Sequence, residues 1–146
     1  MPRDMKTLSN KDALAIIHAI IDEAKRISDK TYSIAVAGAD GQIIAFATMD
    51  GALIASRDIA QAKAHSSVVM GRDTMYWEKK ETPIDKGSFC DPMFTTFGGG
   101  VIVEDDKYVL GGIGVSGGKS EEDEALAIFG KKYIERSIPR SQQTMG

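Results

Sequence analysis

Hydrophobic and polar positions follow two different periods along the chain, and the period changes at short breaks rich in glycine and aspartate. From Ser9 to about Ser28, the residues Leu14, Ile16, Ile17, Ile20, Ile21, Ala24 and Ile27 fall on one helical arc. Asp12, Asp22, Glu23 and Arg26 lie outside that arc. Ser9 with Asp12 three residues later forms an N-cap and its capping-box partner, since each side chain can accept from the other's backbone N–H. The pattern predicts an amphipathic helix. Residues 32–38 and 42–49 are β-branched and aromatic runs around Ala39-Asp40-Gly41, where Asp-Gly supplies the backbone freedom of a tight turn. They predict a hairpin.

Met49-Asp50-Gly51 ends that pattern, and 52–70 is rich in Ala and Ser with no Gly or Pro except at its border, which predicts a second helix. A short helical turn is expected over 74–79. Residues 81–100 carry Pro83, Gly87, Pro92 and Gly98-Gly99-Gly100, so they are expected to be mostly loop, with a short strand at 93–97. Runs at 101–103 and 108–115 flank Glu104-Asp105-Asp106-Lys107 as a second hairpin, and 121–136 closes as a helix before Pro139. The order α-β-β-α-loop-β-β-α sets helices against an antiparallel sheet of four to five strands, an α+β fold. No repeat or internal linker interrupts it, and 1–146 reads as a single domain.

Composition narrows the function classes. A chain of 146 residues with 42% hydrophobic and 27% charged residues suits one ordinary globule rather than a disordered or fibrous protein. Eighteen Lys plus Arg against 21 Asp plus Glu leave a formal charge of -3, so no nucleic-acid partner and no anionic membrane surface is expected. The apolar stretch 13–21 is broken by His18 and followed by Asp22, Glu23, Lys25 and Arg26, too short and too polar to span a bilayer. No cleavage-site pattern follows it. Cys90 is the only cysteine, which removes an intrachain disulfide and a cysteine-based zinc cage, and a cytoplasmic location is expected.

Fifteen glycines call for an explanation. Gly112-Ile113-Gly114-Val115-Ser116-Gly117 matches the G-x-G-x-x-G spelling, but a dinucleotide site needs a parallel strand after the helix, and here the chain ends. Gly118-Lys119-Ser120 resembles the end of a phosphate loop, yet the position of its first glycine is Ile113. Both nucleotide readings fail. Gly98-Gly99-Gly100 and Gly111-Gly112 border adjacent strands, where missing side chains allow either close backbone packing or a flat ligand against the sheet.

Three segments together resemble the GlcG/HbpS-like family, a haem-degrading family that includes the C-terminal domain of PduO-type corrinoid adenosyltransferases. They are Met49-Asp50-Gly51-Ala52 leading to Ser56, Ile59-Ala60 and Lys63-Ala64; then Phe97-Gly98-Gly99-Gly100-Val101; then Ile113-Gly114-Val115-Ser116-Gly117. The resemblance spans nearly the whole chain and implies a profilin-like fold, homo-oligomeric assembly and haem as a cofactor. Two positions depart from the family pattern. Thr48 stands where an arginine usually precedes Met-Asp-Gly-Ala, and His65-Ser66-Ser67 follows Lys63-Ala64 where the family has Thr-Ala after one residue.

Several residues are candidates for chemistry. His18, at the margin of the first helix's apolar arc beside Lys11, Asp22 and Lys25, suits a haem-iron ligand with cations for the propionates, or an exposed histidine paired with Asp22. Gly98, Gly99, Gly100 and Ser116 are candidates for contact with the bound group. Asp50 suits a helix cap or substrate binding beside Ser56 and Lys63. Lys63 suits a buried base of lowered pKa or a paired lysine, and His65 a general base oriented by a carboxylate or a packing residue. The leading expectation is a homo-oligomeric small-ligand protein that binds haem. The alternatives are a haem-independent enzyme acting on an organic acid through Asp50, Lys63 or His65, and a non-catalytic accessory protein of a glycolate or diol pathway. The Ala- and Ser-rich second helix, small on more than one side, suits both internal packing and a subunit interface.

Overall fold

The computed structural model describes residues 5–81 and 90–139. Its elements are α1 (Asn10–Ile27), β1 (Ser33–Gly38), β2 (Ile43–Thr48), α2 (Ile54–Met70), α3 (Thr74–Glu78), β3 (Gly100–Glu104), β4 (Val109–Ser116) and α4 (Ser120–Glu135). The predicted α+β order holds, and the strands form one antiparallel sheet in the order β2-β1-β4-β3.

Alternation along the strands divides the protein into two unequal layers. Ile34 and Val36 of β1, Ile113 and Val115 of β4, and Val101 and Val103 of β3 point to one face. There they pack under Ile16, Ile17 and Ile20 of α1 and Leu126 and Ile134 of α4. This is the main core. The predicted capping box opens α1, with Ser9 Oγ accepting from Asp12 N at 3.0 Å and Asp12 Oδ2 accepting from Ser9 N at 3.1 Å.

The opposite face carries Ala35 and Ala37 of β1, with Gly114 and Gly112 directly opposite them on β4. α2 lies on this face through Ala60 and Ala64. A methyl group on Gly114 would collide with Ala60 O, and one on Gly112 would collide with Ser67 Oγ. The G-x-G-x-x-G spelling therefore records a helix seated on a strand, backbone against backbone.

Residues 93–97 form no strand. They run as an irregular strap along α2, opening on a turn at Pro92-Met93, and Ser66 of that helix satisfies two backbone groups that a neighbouring strand would otherwise serve. Ser66 Oγ accepts from Thr95 N at 2.8 Å and donates to Met93 O at 3.3 Å. α2 begins at Ile54 with Leu53 as its N-cap and no side-chain cap bond, so Asp50 precedes the helix without capping it. Part of the 81–100 loop lies outside the described residues.

Candidate functional site

The sequence candidates fall in three places, each set by a different part of α2 or α1. The first surrounds Lys63, which points from α2 past the end of the β3–β4 ladder. Its Nζ donates to Val115 O at 2.8 Å and to Asp123 Oδ2 at 2.9 Å, with both charged side chains 3% exposed. Asp123 Oδ1 accepts from Gly118 N at 2.9 Å, which ties the pair to the start of α4. Burial pushes the Asp123 carboxyl upward against the opposing pull of Lys63 and the Gly118 amide.

Gly99 runs beside this pair with φ of +122°, and a Cβ there would stand 2.8 Å from Lys63 Nζ and 2.9 Å from Asp123 Cβ. Only glycine combines that backbone angle with that space. Gly98 N donates to Glu78 Oε1 at 2.8 Å, and Ser120 Oγ donates to the same oxygen at 2.7 Å. Burial raises the Glu78 carboxyl, but Ser120, Gly98 and the Lys63 charge together hold it below its ordinary value. Gly100 is bonded to Thr74 Oγ1, which accepts from its N–H at 2.9 Å. Ser116 is buried opposite Ser33, whose Oγ lies 2.8 Å from Ser56 Oγ. Lys63 and the three glycines thus converge around a packed polar knot, while Ser116 lies beside it opposite Ser33 on the sheet.

His65 forms the second place. Its Nδ1 lies 2.7 Å from Gly41 O in the β1–β2 turn, and its Nε2 lies 2.7 Å from Asp91 Oδ2 at the start of the strap. A carboxylate does lie against the ring, that of Asp91. The His65 hydrogen bond holds the Asp91 carboxyl below its ordinary value, assisted by the Met93 amide. Beyond it, Asp58, Ile59 and Ala62 of α2 face Pro92, Met93, Thr95 and Phe97 across a cleft of about 430 Å³.

The third place is a cleft of about 400 Å³ between the end of α1 and the end of β2. Ile21, Lys25, Lys30, Thr48, Met49 and Asp50 are among its lining residues. Asp50 therefore lines a different cleft from the one beside His65. His18 is exposed on α1, seven residues before Lys25 and roughly 10 Å along the same helix face. Leu14, one turn earlier on that face, is 45% exposed. Among the described residues no group of three or more His, Cys, Asp or Glu side chains is placed to hold a metal ion. No helix among them is long and apolar enough to cross a membrane.

Asp123 and Asp91, the partners that define the first two places, were not singled out from the sequence. Asp123 sits in an acidic first helical turn with Glu121 and Glu122, where each carboxylate already has a reason to be present. Only contact across 60 residues distinguishes it.

An antiparallel sheet covered by α1 and α4 on one face and by a small-residue helix on the other defines the class of α+β domain to which the chain belongs. The chain belongs to the family described as haem degrading protein HbpS-like, whose model matches residues 8–131. It is 34% identical over 115 residues to Protein GlcG of Escherichia coli (strain K12), across 77% of this chain and 85% of that protein. The crystal structure of Klebsiella pneumoniae protein ORFY shares the fold with a TM-score of 0.83 and 25% identity, over 92% of this chain and 94% of that one. A crystal structure described as a PduOC:heme complex superposes with a TM-score of 0.78 and 26% identity, over 86% and 94% of the two chains.

Proposed function

We propose that this protein binds haem on the outer face of α1, with His18 as the iron ligand. The observation that carries the reading is the exposed His18 imidazole on a helix face that also presents Leu14, Lys11 and Lys25. An imidazole supplies a nitrogen ligand, Leu14 and Ile21 an apolar shoulder for the porphyrin, and the lysines partners for its propionates. These residues fit the group. Bound haem would supply iron redox chemistry, while the chain ligates and orients it. The heme complex of a structural relative supports the same ligand class.

The internal bonds of Lys63 and His65 also favour ligand binding over acid–base catalysis by these two side chains. Lys63 donates to two buried acceptors, and both ring nitrogens of His65 are engaged. Assembly into a homo-oligomer belongs to the same reading, since Leu53 and Ile54 are 72% and 81% exposed at the start of α2.

Titration of the purified protein with haemin, followed in the Soret region, tests the ligand. A saturable shift is expected in the wild type, and His18→Ala should abolish it with the far-UV spectrum unchanged. An unaltered spectrum and affinity in His18→Ala would refute His18 as the ligand. Absence of any saturable shift in the wild type would refute haem.

A further inference from the structure

The His65 ring joins three segments distant in sequence: α2, the β1–β2 turn and the strap that follows Cys90. Both atoms it meets are obligate acceptors, a backbone carbonyl and an ionised carboxylate, each 2.7 Å from a ring nitrogen. Both bonds form together only when each nitrogen carries a proton. We propose that His65 and Asp91 form a proton-dependent latch that closes the strap over the cleft between α2 and residues 92–97.

Among the described residues the charged groups that face the ring are few. From the strap, Asp91 faces it; from the β1–β2 turn, only the Gly41 carbonyl does, because Asp40 Oδ1 accepts from Gln42 N at 3.0 Å. On α2, Asp58 lies two turns earlier and lines the cleft, while Lys63 is committed to Asp123. Among the described residues, none of these contacts sets a cation against the ring for Asp91.

Loss of one proton leaves the ring a single N–H, and its bare nitrogen then faces an oxygen lone pair. The Asp91 bond is the one that yields. Gly41 is buried, so its carbonyl would lose its partner with no water to replace it, whereas the Asp91 side chain is 25% exposed and can be hydrated. Asp91 also anchors the strap through Oδ1, which accepts from Met93 N at 2.9 Å. With Asp91 released, the bonds between Ser66 and the strap at Met93 and Thr95 remain, so the strap loosens at its start and the cleft lined by Pro92 and Met93 widens. The latch is closed while both ring nitrogens carry a proton and opens when one is lost, so rising pH opens it.

Amide hydrogen exchange of Met93, whose N–H is held by Asp91, in the ligand-free full chain, corrected for intrinsic rate, tests the latch. Protection should fall about tenfold as pH is raised, the effect of one charge-assisted hydrogen bond. Thr95, held by Ser66, and the amides of β4 should not change. In His65→Gln and in Asp91→Asn the strap should show constant protection. A flat wild-type profile, or the same fall in both variants, would overturn the proposal. Nitrogen-edited NMR of the wild type gives a second readout that needs no variant, because His18 is the only other histidine. Both ring N–H protons of His65 should be observable at the acid end; a single N–H there would also overturn it.

Discussion

Lys63 Nζ lies 2.9 Å from Asp123 Oδ2, and this ion pair, buried at both ends, joins two helices that cover opposite faces of the sheet. The pair also reaches the end of β4 through Val115 O and the turn between β4 and α4 through Gly118 N. Four backbone segments therefore depend on one charge pair. Removing one partner of such a pair leaves an uncompensated charge where water cannot reach it.

Lys63→Met should therefore destabilise the fold by about 3–5 kcal/mol, and the double change Lys63→Met with Asp123→Leu should cost less than Lys63→Met alone. Urea unfolding followed by circular dichroism gives both values. A double variant as unstable as the sum of the single variants would mean that the two groups act independently.

The seat of α2 on β4 predicts an order among glycine substitutions. Gly114→Ala would drive a methyl group into Ala60 O, and neither backbone can give way without moving a helix off the sheet. Overpacking of this kind costs roughly 1–3 kcal/mol or more. Gly71, the left-handed C-cap of α2 at φ of +66°, has open space around its Cβ position, so Gly71→Ala should cost only about 1 kcal/mol of backbone strain. Thermal unfolding ranks the two, and the reverse order would contradict the packing described above.

Asp105 predicts an acid-side dependence. Its carboxyl is lowered from 3.8 to about 2, first by the Lys6 hydrogen bond at 2.6 Å and then by the Lys107 and Tyr108 amides. The unfolded chain binds more protons than the native chain between these values, so stability rises with pH there. The contribution is complete above the unfolded value and is lost as pH falls through about 2. Carbon NMR of the Asp105 carboxyl should show its midpoint near 2 in the wild type and closer to 3.8 in Lys6→Met. Identical midpoints would remove Lys6 as the cause.

The exposed start of α2 makes assembly testable. Sedimentation velocity should show more than one subunit at micromolar concentration, and Leu53→Glu with Ile54→Glu should shift the protein toward monomer. A wild type that sediments only as a 15.7 kDa species would remove the assembly.

Local patterns were legible in the sequence because their causes are local. The α1 capping box, the turn at Asp40-Gly41, the eight elements in order and the antiparallel sheet follow from helical spacing, β-branched runs and turn chemistry within a few residues. The family could be read as well, from the Met49-Asp50-Gly51-Ala52, Phe97-Gly98-Gly99-Gly100 and Ile113-to-Gly117 segments in combination. What only the tertiary structure decided was the partner of each candidate residue. Lys63 meets Asp123 across 60 residues and His65 meets Asp91 across 26, and no periodicity distinguishes those two aspartates from their neighbours. Residues 93–97 carry strand-forming side chains, yet Ser66 satisfies their backbone from a helix and turns them into a strap. The reason is the same in each case: side-chain spacing sets local conformation, while the choice of hydrogen-bond partner for a buried polar group is settled only when distant segments pack together.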